Sequence, residues 1–127
     1  MKLRFTRFSI IIACTLFISN HVFSQVDLVA SGGTTMMSYT TVKDAFDAIN
    51  AGTHTGTITL NISGNTTEPA TGAILNASGS GSSNYTSITI KPTGGAARII
   101  SGSANAGLPL INLNGADNVT IDGLNTG

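Results

Sequence analysis

Tryptophan is absent, charged residues are scarce, and the single cysteine, Cys14, sits inside the first apolar run. Each shortage removes a class of protein. With no tryptophan and only Tyr39 and Tyr85 as tyrosines, an aromatic platform for stacking sugar rings has little support in this segment. Charged residues make up 9% of the chain. Beyond residue 24 the basic ones are Lys43, Lys91 and Arg98, against Asp27, Asp44, Asp47, Glu68, Asp117 and Asp122, a net charge of −3. No basic stripe remains to neutralise phosphates, which excludes nucleic acid as a partner. Past the same point His54 is the one histidine and there is no cysteine, so the three or four convergent ligands of a zinc site are missing. The longest apolar run, Phe8 to Ile18, is about half the roughly 20 residues that span a bilayer. It predicts no stable membrane span in the mature chain.

The N-terminus reads instead as a secretory signal. Lys2, Arg4 and Arg7 precede the apolar run, and Val22-Phe23-Ser24 supplies small residues at −3 and −1 for cleavage before Gln25. Residues 1–24 are therefore assigned to a signal peptide and 25–127 to the mature chain. That places the protein outside the cell, secreted or on the outer cell surface. Ile11-Ile12-Ala13-Cys14 has the outline of a lipobox, but Leu16-Phe17-Ile18 carries the apolar run past the cysteine. Cys14 is then discarded with the signal, and no disulfide supports the mature fold.

What is present is periodicity. Val42, Ala45, Phe46 and Ile49 form one apolar stripe at i, i+3, i+4 and i+7, behind a capping-box-like Thr41-Val42-Lys43-Asp44. Gly52 suits the left-handed stop of this helix. Thereafter the period changes to two. Thr57-Ile58-Thr59-Leu60-Asn61, Ser87-Ile88-Thr89-Ile90-Lys91 and Asn118-Val119-Thr120-Ile121-Asp122 repeat one pattern at spacings of 30 and 31 residues. Stacked, they predict two inward aliphatic ladders, Ile58/Ile88/Val119 and Leu60/Ile90/Ile121, and an outward threonine ladder, Thr59/Thr89/Thr120. Gln25 to Ala30, carrying Val26, Leu28 and Val29, reads as an opening strand, Ser31 to Thr35 as a loop and Ser63 to Thr67 as a polar turn. Ala73 to Leu75, Arg98 to Ser101 and Leu108 to Leu113 read as further short strands.

The helix, the rungs and the closing Asn118-Val119-Thr120-Ile121-Asp122-Gly123-Leu124 resemble the right-handed parallel β-helix (pectin-lyase-like) family. They are most similar to the N-terminal part of large secreted surface proteins of Bacteroidota. The resemblance implies an all-β parallel β-helix, or β-solenoid, of about three coils with a short N-terminal capping α-helix. The last rung would leave an unpaired edge, so residues 25–127 are expected to be the N-terminal part of a longer domain.

No constellation of catalytic residues emerges, and none is assigned; no cofactor or metal site is assigned either. His54, between two threonines, reads as an exposed loop residue. Asp44 and Asp47 are read as facing water, while Asp117 and Asp122, five apart, should point to opposite faces of the last strand. Gly79-Ser80-Gly81-Ser82-Ser83 lacks the Gly-Lys-Ser/Thr of a phosphate loop. The expected role is a non-catalytic segment of a secreted or cell-surface adhesin-like protein, with extracellular polysaccharide or cell-surface components as partners. The alternative is part of a polysaccharide lyase or glycoside hydrolase; the resemblance implies a basic residue acting on the sugar acid, and only Lys91 and Arg98 could serve.

Overall fold

The computed structural model describes residues 23–124, so Cys14 and nearly all of the assigned signal lie outside the described residues. Strand β1 (Val26–Gly33) turns back into β2 (Met36–Tyr39) as an antiparallel hairpin. Val26, Leu28 and Ala30 alternate inward along β1, and Gly33 takes the positive φ of 67° that the reversal requires. Helix α1 (Val42–Asn50) follows, with the Thr41 hydroxyl accepting from the Asp44 amide at 3.1 Å. Its stripe of Val42, Ala45, Phe46 and Ile49 is fully buried, and Gly52, at φ 75°, closes the helix by donating to the Ile49 carbonyl.

Seven more strands complete the chain: β3 (His54–Ile62), β4 (Thr66–Glu68), β5 (Ala73–Asn76), β6 (Tyr85–Pro92), β7 (Ile100–Gly102), β8 (Ile111–Asn114) and β9 (Val119–Ile121). They form a five-stranded sheet of order β2-β1-β3-β6-β9 and two two-stranded sheets, β4-β7 and β5-β8. In the large sheet β3, β6 and β9 run parallel in register, Ile58 beside Ile88 beside Val119 and Leu60 beside Ile90 beside Ile121. Both aliphatic ladders therefore lie within one sheet.

The three-coil parallel β-helix is nevertheless not the fold. The sheets are mixed. β1 pairs antiparallel along β3, from Val26 opposite Ile62 to Gly33 opposite His54, and β2 extends that antiparallel half. The two smaller sheets hold only two strands each, of three or four residues. Residues 26–39 are thus a hairpin rather than an opening strand followed by a loop. The inward alternation of β1 runs on to Ala30, and past an irregularity at Ser31 its pairing with β3 resumes at Gly32 and Gly33, up to the turn. Smaller shifts follow elsewhere. Thr66 and Thr67 open β4 rather than closing a turn, and the strand expected at 98–101 lies at Ile100–Gly102.

Helix α1 packs chiefly over β5, against a core that includes Leu28, Ile58, Leu60, Leu75 and Ile88. Its end is joined to β5 by Asn50. The Asn50 amide donates to the Ile74 carbonyl at 2.8 Å, and its oxygen accepts from the Asn76 backbone amide at 2.9 Å. One side chain thereby supplies the pairing that an adjoining strand would give. Asn114 extends the amide row, donating to the Asn76 side-chain oxygen at 3.1 Å.

Candidate functional site

The outward side of the parallel strands carries the first candidate. Because Ile58, Leu60, Ile88 and Ile90 point inward, the intervening residues must face away from the core. Thr57 stands beside Ser87, Thr59 beside Thr89, and Thr89 beside Thr120. Neighbouring strands lie about 4.8 Å apart, so these hydroxyls form rows at strand spacing. Thr57 and Thr120 are exposed, and Thr59, Ser87 and Thr89 are half-buried. The row ends against β1, where Val29 is paired with Thr59 and Asp27 with Asn61. The Ser38 hydroxyl donates to Asp27 at 2.7 Å. This bond is the main cause holding the Asp27 carboxyl below the usual carboxylate range, opposed by partial burial and helped by Ser63 and Ser24.

The second candidate is a cavity of about 340 Å³ at the β9 side of the molecule. Its lining combines Ile62, Ile90, Ile100 and Ile121 with Lys91, Arg98 and Asp122. The structure thus brings together the two basic residues singled out from the sequence, and adds one acid. Their chemistry is partly committed. The Arg98 guanidinium donates twice to the Thr93 carbonyl, from Nε at 3.1 Å and Nη2 at 2.9 Å. Asp122 accepts from the Leu124 amide at 2.9 Å. Among the described residues the one ion pair is Lys43–Asp47 on the helix surface, so none joins Lys91 or Arg98 to Asp122. Asp122 is half-buried and Asp117 exposed.

His54 is corrected: it is fully buried, not an exposed loop residue. Its Nδ1 meets the Thr34 carbonyl, which can only accept, so Nδ1 carries the proton in the neutral ring. Nε2 then accepts from the Tyr39 hydroxyl at 2.7 Å, with the rings edge to face at 5.9 Å. The pair fastens the turn and end of the β1–β2 hairpin to the start of β3. Burial first, and then the charge of Asp44, raises the Tyr39 phenol above its ordinary value. With no carboxylate or nucleophile in this hydrogen-bonded set, the arrangement is a structural pin.

Glu68 is the residue whose role the sequence did not reveal. It is buried, and its two carboxylate oxygens accept from the backbone amides of Val42 and Lys43 at 2.9 and 2.8 Å. A remote strand therefore caps the first turn of α1, where a negative charge is favoured by the helix dipole. Each oxygen holds one backbone donor and the side chain is buried, so this carboxylate is committed to the helix start. Its only trace in the sequence was a lone acid amid threonines and a proline.

Among the described residues no group of three or more His, Cys, Asp or Glu side chains could hold a metal ion. No helix among them is long and apolar enough to cross a membrane. No protein family, curated protein or solved structure matches the chain.

Proposed function

We propose that the chain is a non-catalytic module of a secreted or cell-surface adhesin-like protein, contacting extracellular glycans through the outward face of its parallel strands. The observation that carries this reading is the row Thr59–Thr89–Thr120, flanked by Thr57 and Ser87. Hydroxyls both donate and accept, as sugar hydroxyls do, and β-branched threonines in a ladder lose little further freedom on binding. Repetition at strand spacing offers an extended ligand the same contact several times, so weak single contacts add. A glycan array probed with the purified chain tests the proposal. Binding to one or more polysaccharides is expected, weakened at least about tenfold by Thr59→Ala combined with Thr89→Ala. Equal binding by parent and double variant, or none by the parent, would remove the reading.

A second reading, part of a polysaccharide lyase or glycoside hydrolase, draws on the gathering of Lys91, Arg98 and Asp122 around one cavity. Against it stand the aliphatic walls and the prior engagement of Arg98 and Asp122. Incubation with pectin, alginate and chitin separates the two; no release of sugars is expected.

A further inference from the structure

We propose that Met37 is an oxidation site: a hydroperoxide converts it to the sulfoxide, which takes the Tyr39 hydroxyl proton from His54 and unfastens the β1–β2 hairpin. Beyond residue 24 the chain's methionines are Met36 and Met37, neighbours on β2. Met36 is 73% exposed and Met37 48%, so a small oxidant reaches both sulfurs. Neighbours on a strand point to opposite faces. Met36 stands beside Val29 on the outward face, whereas Met37 stands beside the buried Leu28, on the face that Tyr39 shares. Met37 is thus the methionine in contact with the pin at His54.

That contact has a chemical consequence. The Met37 Sδ lies 3.2 Å from the Tyr39 hydroxyl, which donates to His54 Nε2 at 2.7 Å. One proton therefore faces two acceptors. A thioether accepts weakly, so the imidazole nitrogen holds the proton while the sulfur is reduced. Oxidation reverses the ranking. Two electrons pass from the sulfur to the peroxide; the S–O bond forms, the O–O bond breaks, and water leaves when the oxidant is hydrogen peroxide. The product is polar, with a strong acceptor oxygen in place of a weak sulfur. Once the hydroxyl turns to it, Nε2 has lost its donor in a ring with no exposed surface. Nδ1 stays bound to the Thr34 carbonyl, which keeps the ring from turning toward another donor. A buried acceptor stripped of its partner favours opening to water. The segment released is the hairpin together with the start of β3, which His54 joins.

Treating the purified chain with hydrogen peroxide tests this, with peptide mass mapping to locate the added oxygen and urea unfolding to read stability. Both methionines are expected to gain one oxygen while the chain is folded. Oxidation should raise the ratio of unfolded to folded chain about tenfold, and methionine sulfoxide reductases should restore it. The Thr34 amide, which donates to the Thr53 carbonyl at 2.8 Å beside His54, should exchange its hydrogen faster in the oxidised chain. Met36→Leu should keep the whole response and Met37→Leu should abolish it. Tyr39→Phe removes the contested proton, so peroxide should leave the stability of that variant unchanged; Met37→Leu carries the test if the phenylalanine variant does not fold. The proposal is overturned by a Met37 that stays reduced in the folded chain or by an oxidised parent as stable as the reduced one. A response that survives Met37→Leu, or one of parental size in folded Tyr39→Phe, overturns it as well.

Discussion

The two flanks of the core use the same kinds of side chain to different ends. On the helical side Val42, Ala45, Phe46 and Ile49 have no exposed surface, and the backbone is closed by side chains brought from elsewhere: Glu68 on the first turn of α1, Asn50 on β5. On the β9 side Ile99, Leu108, Ile121 and Leu124 are between 49% and 70% exposed. One ladder crosses from one regime to the other. Leu60 is fully buried, Ile90 nearly so, and Ile121 mostly exposed, although all three occupy equivalent places in the repeated pattern. Burial of a repeated residue is therefore set by what stacks beyond it, not by its position in the pattern.

The largest test of this contrast is a matched pair of truncations. Phe46→Ala should cost about 3–5 kcal/mol, because a fully buried ring is replaced by a cavity. Ile121→Ala, at a side chain 58% exposed, should cost less than about 1 kcal/mol. Equal losses in urea unfolding would mean that the two flanks are packed alike.

A smaller effect sharpens the account of how the helical side is closed. Glu68→Gln keeps the shape but offers one acceptor to two backbone donors, so an amide group must face the other N–H. A loss of about 1–3 kcal/mol is expected in the same measurement. An unchanged midpoint would show that the cap contributes nothing to stability.

The smallest expected effect concerns pH. Asp27 titrates below the usual carboxylate range when folded, so its contribution is present above the unfolded carboxylate value and is lost as pH falls through the folded one. Asp27→Asn should flatten that part of the acid limb of the stability curve. At the alkaline end the sign reverses. Burial raises Tyr39 and Tyr85, so their contribution is complete below the ordinary phenol value and disappears as pH rises through the folded values. Tyr85 is also raised by the charge of Asp117, while Ser78 pulls it down. Thermal melts across the two ranges check both signs.

Helix α1 was legible almost residue by residue, because its stripe and its Thr41 cap are encoded within ten neighbours. The register of the ladders at 58/88/119 and 60/90/121 was legible as well, from alternation and near-equal spacing, but the inward placement expected of Ile121 was not met: it is 58% exposed. Fold class was misread. Parallel rungs were extended into a full coil, while the antiparallel half of the large sheet rests on β1 pairing with β3, whose partners are separated by the hairpin and the helix. Chemistry at His54 was misread too: its polar neighbours suggested solvent, but Tyr39 and the Thr34 carbonyl enclose it.

Pattern alone, then, was enough for the helix, its cap, the register of the repeated strands and the inward faces of β3 and β6, because short-range sterics and the need to hide aliphatic carbon decide these. The mixed sheet, the buried histidine, the carboxylate on the helix start and the cavity at β9 came with the assembled chain. Each depends on groups well separated in the chain, from Tyr39 and His54 to Ile62 and Ile121, meeting in space, and no local periodicity records such meetings.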